Sequence, residues 1–314
     1  MSFTTANMTV LTRSELWSRE LKDVLLDDLQ GTKYVHWLNE FPDGDTFTIP
    51  SIGEGTVRDY VENTPVTYDA MDTGEFQFQI TEYLQSGNYI TKKARQDAFY
   101  AAMLEASFVP KQRRAMMERV ETDIFALQSQ QTVSDRNLIN TAPHRMVASG
   151  TSQVMALSDF ATALYSLKKA NVPQTNLVAI VDPSVEYTLN TLTNLTNVSN
   201  NPMWEGIITS GLATGMRFVK NVYGFDVYTS NYLASGITET VNSVTVTTYG
   251  VANLFFSAAS DVLPFVGAWR QEPQVDGEYN KDFQREEYVT TSRYGVKLYR
   301  PENFVTVLSA SNVV

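Results

Sequence analysis

The stretch TKKARQDAFYAAMLEASFVPKQRRAMMERVETDIFALQSQQ, residues 91–131, is the longest segment of the chain whose sequence favours helix throughout. Thr91 is a candidate N-cap, and the alanines before Phe108 favour helix. Pro110 divides the stretch, because a proline is tolerated in the first turn of a helix, where its missing N–H would have no partner. We therefore predict one helix from Thr91 to Phe108 and a second from Pro110 to Gln131, the second about 33 Å long at 1.5 Å per residue.

The second of these helices is predicted to be amphipathic. Met116, Val120, Ile124 and Leu127 recur at helical spacing and form one apolar stripe. The pattern indicates a helix that packs on a sheet through this stripe, which is a more common role for such a methionine than a cofactor contact. Charged residues largely cover the other faces: Lys111, Arg113, Arg114, Glu118, Arg119, Glu121 and Asp123.

Composition limits the classes of function. The chain has 314 residues, of which 43% are hydrophobic and 19% charged, so it has room for a sizeable core and a less charged surface than usual. A net charge of −11 argues against a protein whose main task is to bind the phosphate backbone of nucleic acid, although it does not exclude a protein that surrounds nucleic acid. The absence of cysteine excludes disulfides, thiolate nucleophiles and cysteine zinc sites. Because no run of about 18 apolar residues and no secretory signal is visible, we expect a soluble protein made in a cytoplasm.

The first 45 residues begin polar and then include SELWSRELKDVLLDDL, an amphipathic helix that Ser14 can cap and Gly31 ends. Two alternatives stay open for this helix. It packs on its own domain, or it is part of an arm that reaches a neighbouring subunit.

Residues 46–90 predict two strands joined by a long polar excursion. TFTIPSIG and FQFQITEYL alternate apolar and polar residues, and the segment between them is rich in acidic residues and glycine. Such a hairpin buries too little area to be stable alone, so we expect it to lie on another surface.

The chain after the long helix predicts a mixed domain. A polar link near residues 132–155 precedes a helix that Ser158 is predicted to cap. The apolar run 177–181 predicts a buried strand, followed by a helix with Asp182 as N-cap and Pro183 at its first position. Gly224 marks a bend between two strands, residues 243–267 predict further strand and a short helix, and residues 282–307 predict a strand-rich end.

No catalytic constellation is visible. His36 and His144 are the only histidines, and neither lies in a metal-binding or catalytic motif. The glycines of GEG at 53–55 lack the context of a phosphate-binding loop. Acidic residues at 69, 72 and 75 do not have the spacing of a calcium loop, and a solvated acidic turn is the simpler interpretation. The arginines at 113, 114 and 119 either touch nucleic acid or pair with nearby carboxylates.

Four pieces of the chain resemble, in the same order, the major capsid proteins of tailed bacteriophages, which have the Hong Kong 97-type fold, and short-tailed phages in particular. TFTIPSIGEGTVRDYVENTPVTYD is similar to the ascending side of the family's extension loop. ITKKARQDAFYAAMLEASFVPKQRRAMMERVETDIFALQ is similar to the helical entry and spine helix of the peripheral domain. NVYGFDVYTSNYL resembles the hairpin of the axial domain, and EEYVTTSRYGVKLYRPENFVTVL resembles the closing strands.

The resemblance implies an α+β fold with an N-terminal arm, an extended β-hairpin, a spine helix and a mixed α/β axial domain. The expected divisions are an arm at 1–45, the extension loop at 46–90, the peripheral domain at 91–144, the axial domain at 145–260 and closing strands at 261–314. The loop would lie over a neighbouring subunit. Its candidate contact residues are Arg58, Asp59, Tyr60, Asp69, Asp72 and Glu75.

The function that the resemblance implies is assembly, without catalysis, cofactor or metal. Many copies would form pentamers and hexamers of an icosahedral shell around double-stranded DNA, in a virion built in the host bacterial cytoplasm. The expected partners are other copies, a scaffolding protein, a portal protein and a cement or decoration protein. A separate scaffolding protein, or a very short one, is expected because no long N-terminal scaffold segment is visible. No residues match the lysine, asparagine and glutamate of the prototype's covalent cross-link, so none is expected.

Three alternatives remain at this point. An encapsulin, which is a cellular shell loaded with an enzyme, has the same fold. A carboxylate-dependent hydrolase would use some of the acidic residues in the cleft of a compact monomer. A tail or decoration subunit would be mainly β, which the long helix disfavours.

Overall fold

The computed structural model describes residues 29–38, 46–52, 57–65, 73–97, 101–131, 136–191, 218–246 and 249–311. Except for its last residue, the predicted helix of the N-terminal arm lies outside these ranges. The helices are α1 Lys92–Asp97, α2 Ala101–Ala126, α3 Leu157–Lys169 and α4 Pro183–Thr191. Short 3-10 turns lie at Gly31–Tyr34, Leu127–Gln130, Thr151–Gln153 and Pro301–Asn303. The strands are β1 Val35–Leu38, β2 Thr46–Ile52, β3 Thr73–Gln79, β4 Glu82–Thr91, β5 Leu138–Ile139, β6 Ala142–Pro143, β7 Arg145–Val147, β8 Leu177–Val181, β9 Phe218–Val222, β10 Phe225–Thr229, β11 Thr240–Val241, β12 Val244–Thr245, β13 Gly250–Ser257, β14 Phe265–Asn280, β15 Arg285–Leu298 and β16 Val305–Ala310.

Most of the described strands lie in two sheets. The first has four strands in the order β1-β14-β15-β4, and the second has six in the order β7-β16-β13-β8-β10-β9. In the first sheet only β1 and β14 are parallel, and in the second β7 is parallel to β16 and β8 is parallel to β10. Strand β4 lies at an edge of the first sheet, whereas the closing strand β16 is an interior strand of the second.

Helix α2 is the spine of the structure, and it runs through Pro110 without interruption. The predicted division at this proline is therefore wrong. A proline inside a helix loses one backbone hydrogen bond and costs about 3 kcal/mol. Pro110 itself is exposed, but Gln112, Met116 and Val120 on the following turns are buried, and this packing offsets the cost of the proline.

The predicted apolar stripe of α2 is confirmed. Met116, Val120, Ile124 and Leu127 are all buried, and the last three pack in the core cluster that contains residues of both sheets. Thr91 is confirmed as the cap of α1, because its Oγ1 accepts a hydrogen bond from the backbone N–H of Ala94 at 3.2 Å. One residue assigned to the charged faces behaves differently, since Glu121 is fully buried.

The six-stranded sheet is covered on both faces, which explains the continuous apolar run of β8. Val178 and Ile180 pack in the cluster that contains the spine helix, and Ala179 and Val181 pack in the cluster that contains α3. The predicted cap of α4 is confirmed, because Asp182 Oδ2 accepts from the N–H of Ser184 at 2.9 Å.

The cap of α3 differs from the prediction. Ser158 lies inside the helix, which begins at Leu157. The carboxylate of Asp159 instead accepts from the N–H groups of Ala156 at 2.8 Å and Ser149 at 3.1 Å. An acidic residue in the first turn thus caps the N-terminus of the helix, where backbone N–H donors have no helical partner.

The bend at Gly224 is a two-residue hairpin turn. Tyr223 and Gly224 have φ of 52° and 88°, and Val222 pairs with Phe225 across the turn. Two successive positive φ angles are typical of the turn whose twist matches paired strands. The short helix predicted between residues 243 and 267 is absent from the described part of that segment, which forms β12, β13 and the start of β14.

Candidate assembly surfaces

The extension hairpin is built from β2 and β3, which pair from Thr46 opposite Gln79 to Ile52 opposite Thr73. Seven residues per strand extend about 24 Å. The return strand predicted across residues 76–84 is split, because β4 leaves the hairpin and pairs with β15 in the four-stranded sheet.

The base of this hairpin is fixed to its own chain. Phe78 is fully buried against Val266 and Ala268, and Lys297 Nζ donates to the carbonyl of Gln77 at 2.8 Å. Close approach of the backbones requires a glycine at 295, since a Cβ there would lie 2.7 Å from the carbonyl oxygen of Gln79. The hairpin is predicted to need a supporting surface. At its base, this surface is the four-stranded sheet of its own subunit.

The described part of the loop beyond the hairpin, residues 57–65, is exposed at every position. Val57 is 96% exposed and Tyr60 is 85% exposed. Such large apolar side chains gain nothing by protruding into water, and a cluster of them marks a surface that contacts another molecule.

The candidate contact residues fall into three groups. Arg58, Asp59 and Tyr60 lie together in the exposed segment 57–65. Glu75 is exposed on β3, where its Oε1 accepts from Gln77 Nε2 at 3.0 Å. The aspartates at 69 and 72 lie outside the described residues.

Other large hydrophobic side chains are also exposed on the described surface. They occur on the edge strand β4, on the β14–β15 hairpin and on the domain around α3, α4 and the β9–β10 turn. The aromatic residues among the exposed hydrophobic ones of the described surface, apart from Tyr60, are Tyr83, Tyr89, Tyr165, Tyr187, Tyr223, Tyr249, Tyr279 and Phe283. A subunit with apolar groups on several sides is suited to contacts with several neighbours.

The sequence pattern does not predict the structural role of Glu121. Its carboxylate accepts hydrogen bonds at 2.7 Å from the backbone N–H groups of Gln30 and Gly31, where the described chain enters the domain. Burial raises the pKa of Glu121, while these backbone hydrogen bonds oppose the rise. A Cβ on Gly31 would lie 2.9 Å from Glu121 Oε2, so the contact requires glycine. Glu121 thus fixes the point at which the N-terminal segment joins the spine helix.

Arg145 is a second missed residue, and its side chain is only 1% exposed. Its guanidinium makes a two-pronged ion pair with Glu239, with Nε–Oε1 at 2.6 Å and Nη2–Oε2 at 2.5 Å. It also donates to Gln128, to the carbonyl oxygen at 2.8 Å and to Oε1 at 2.7 Å. Arg145 therefore links the end of the spine helix to β7 and to the segment before β11.

Two arginines of the spine helix form ion pairs with carboxylates one turn further along the same helix. Arg114 Nε lies 3.0 Å from Glu118 Oε1, and Arg119 Nε lies 3.1 Å from Asp123 Oδ1. Pairing with carboxylates, one of the two alternatives, is confirmed for these two residues. Asp123 also accepts from Tyr294 Oη at 2.5 Å, and burial together with this bond raises the pKa of Tyr294.

The described residues hold no group of three or more potential metal ligands. His36 is exposed on β1, whereas His144 is buried and its Nδ1 lies 3.1 Å from the carbonyl oxygen of Ala142. Burial lowers the pKa of His144. Within the described ranges no helix has the length and apolarity needed to cross a bilayer.

Comparison with known proteins agrees with this geometry. The family model for phage capsid proteins matches residues 53–307. No curated protein matches the chain at a significant level. The solved structure titled for the capsid of cyanophage P-SCSP1u superposes with a TM-score of 0.74 at 16% identity, covering 99% of this chain and 96% of that one.

Two further solved structures show the same fold. That of Mycobacterium phage Che8 has a TM-score of 0.68 at 17% identity, covering 94% of this chain and 97% of that one. The capsid of a native GTA particle has a TM-score of 0.68 at 10% identity and covers 99% of both chains. The resemblance inferred from the sequence is confirmed. The chain therefore belongs to the phage capsid protein family, as a structural, non-enzymatic shell protein of the virion with the Hong Kong 97-type α+β fold.

Proposed function

We propose that this protein is the major capsid protein of a tailed phage and that its copies form the pentamers and hexamers of an icosahedral shell around double-stranded DNA. The observation that carries this proposal is the extension hairpin, which has a base packed on its own subunit and an exposed tip. Such a shell is stable because each subunit buries area against several neighbours and symmetry repeats every contact.

We assign a role to each part of the subunit along the boundaries that the sequence predicts. Residues 1–45 would reinforce contacts along the shell, and residues 46–90 would lie over a neighbour, with Arg58, Asp59, Tyr60, Asp69, Asp72 and Glu75 as contacts. Residues 91–144 and the strands of 261–314 would form the peripheral domain, and residues 145–260 would gather at the capsomer axis. The acidic charge suits a container that releases its DNA, because weak attraction of the wall for phosphate favours packaging and ejection.

We further propose that assembly takes place in the host bacterial cytoplasm and uses a separate scaffolding protein, a portal protein and a cement or decoration protein. An encapsulin has the same fold, and the two functions differ in gene context. Portal and terminase genes beside this gene support the virus, whereas a cargo enzyme with a C-terminal docking peptide supports the encapsulin.

Limited proteolysis tests the role of the extension loop. Residues 57–65 are exposed in the single subunit, so a protease added to unassembled subunits should cut there first. In assembled shells the same site should be cut far more slowly, because a neighbour covers it. Equal cutting in both states, mapped by mass spectrometry, would rule out an intersubunit loop.

A further inference from the structure

The four-stranded sheet ends at strand β4, and no described strand pairs with the outer edge of β4. β4 has ten residues and pairs with β15 without a register shift along its whole length. Its one charged side chain, Glu82, stands at its first position, and it contains no proline. The other edge strands of the two large sheets, β1, β7 and β9, have only four, three and five residues. β4 is therefore a long and regular edge strand.

The opposite side of the same sheet is protected in the ways that sheet edges usually are. Beyond Ala268, where the pairing with β1 ends, β14 pairs only with β15 among the described strands. This part of β14 contains Pro273 and two register shifts, and it has four charged side chains: Arg270, Glu272, Asp276 and Glu278. Proline, bulges and charges keep a second strand away from an edge. After its first residue β4 has none of these devices, which indicates an edge that pairs with another strand.

The backbone groups that β4 directs to its open edge belong to alternate residues. The N–H of Lys92, directly after the strand, donates to the carbonyl oxygen of Gln284 at 2.9 Å, in the same register as the ladder between β4 and β15. In an antiparallel ladder every second residue bonds to the partner strand, and the residues between them direct their groups to the other side. The even-numbered residues of β4 therefore bond to β15. The outward residues are Tyr83, Gln85, Gly87, Tyr89 and Thr91.

The sequence of β4 is complementary to itself around Gly87. When two copies lie antiparallel with a two-fold axis at Gly87, the outward residues face one another and form about ten backbone hydrogen bonds. The side chains then pair by opposite charge, by apolar character and by polar character, which are the combinations that stabilise neighbouring strands. An axis at either adjacent residue instead places Leu84 opposite Asn88 or Lys92. The pairs with the axis at Gly87 are Glu82 with Lys92, Leu84 with Ile90 and Ser86 with Asn88.

We propose that the open edge of β4 binds the same edge of a second copy of this chain, antiparallel about a two-fold axis at Gly87. The contact joins the four-stranded sheets of two subunits into one sheet, and it is isologous because both subunits use the same strand. This inference rests on the proposed function and goes beyond it. An icosahedral shell has two-fold axes between its capsomers, and the edge of β4 supplies a contact of that symmetry.

Single cysteines test this register, because the chain contains no cysteine of its own. The first variant is Gly87→Cys, in which the new Cβ would lie in ordinary contact at 3.8 Å from Val289 Cγ2. Across the axis the two Cα atoms of residue 87 would be about 5.5 Å apart, which a disulfide can span. The matched control is Gln85→Cys on the same edge, whose two copies would be offset by four residues, or about 13 Å, along the strands. Assembled samples are oxidised and analysed on non-reducing denaturing gels.

We expect at least about fivefold more disulfide-linked dimer from Gly87→Cys than from Gln85→Cys. Combining Gln85→Cys with Tyr89→Cys should restore the dimer, because these two positions lie opposite each other across the axis. Equal dimer yields from the two single variants, in shells that form normally, would overturn the pairing and leave the capsid function intact. If the native chain forms no shells, the proposed function is contradicted, and the dimer ratio measured on the soluble chain still decides the pairing.

A proline at an outward position gives an independent measurement. Gln85→Pro removes an N–H that points to the open edge and leaves the hydrogen bonds to β15 in place, and a proline is tolerated at such a position. Circular dichroism should therefore show a folded subunit, while sedimentation should show an assembled yield at least about tenfold lower than that of the native chain. A folded Gln85→Pro subunit that assembles as well as the native chain would overturn the pairing.

Discussion

The buried ion pair between Arg145 and Glu239 should control the stability of the joint between the spine helix and the six-stranded sheet. The Arg145 side chain is 1% exposed and that of Glu239 is 15% exposed. Arg145→Met removes the positive charge and leaves the nearly buried carboxylate of Glu239 without its partner. It also leaves Oε1 of Gln128 without the Arg145 donor. Breaking one partner of a buried pair costs about 3–5 kcal/mol.

This loss translates into a measurable thermal shift. An unfolding entropy of about 2.1 cal/mol/K per residue predicts, for 314 residues, a melting temperature about 5–8 °C lower for Arg145→Met. The assay is circular dichroism of unassembled subunits during heating, with urea unfolding for the free energy. Arg114→Met is the control, because its partner Glu118 lies one helical turn away and both side chains are about a quarter exposed, so its loss should stay below about 1 kcal/mol.

A double substitution distinguishes the loss of the ion pair from the loss of the packing around Arg145. Adding Glu239→Leu to Arg145→Met removes the uncompensated carboxylate, so the double variant should regain at least about half of the lost free energy. If Arg145→Met costs less than about 1 kcal/mol, or if the two losses simply add, the pair does not hold this joint as the geometry indicates.

Three further predictions concern buried positions. Glu121→Ala leaves the N–H groups of Gln30 and Gly31 without their acceptor, at about 1–3 kcal/mol each, so urea unfolding should show a loss of about 2–6 kcal/mol; an unchanged midpoint would contradict this. Val120→Asp should give insoluble subunits, because Val120 is fully buried on the apolar stripe and an unpaired charge there is costly; a soluble, assembling variant would show that the wrong helix face has been identified. His144 has a folded-state pKa below its ordinary value of 6.5, so the unfolded chain binds the proton first as the pH falls. The unfolding free energy should therefore decrease below pH 6.5, by up to about 1.4 kcal/mol per pH unit, and His144→Asn should flatten this slope in urea titrations at pH 5–8; an equal slope in both proteins would assign the effect to other groups.

Local rules predict the parts of the fold in which the decisive contacts are close in the sequence. The run 177–181 is apolar at every position because both faces of β8 are covered. Asp182 caps α4 from two residues away, and Gly224 permits the positive φ of its turn. The stripe of α2 is predictable because helical spacing alone brings its residues onto one face.

The same rules fail where a distant contact decides the outcome. Pro110 stays inside α2 because buried side chains on the next turns contact β15. Glu121 is buried by backbone groups about 90 positions away, and Arg145 pairs with a residue 94 positions away. For Glu121 one local signal exists, since it lies four residues before the buried Phe125 and so shares its helix face. For Arg145 the sequence offers no such signal.

Negative-stain microscopy of the purified protein, with light scattering on the same sample, tests the assembly of this subunit most directly. We predict closed shells or ring-shaped capsomers, formed by the protein alone or after addition of a crowding agent or the scaffolding protein. A monomer that persists under all three conditions would contradict the proposed assembly into pentamers and hexamers.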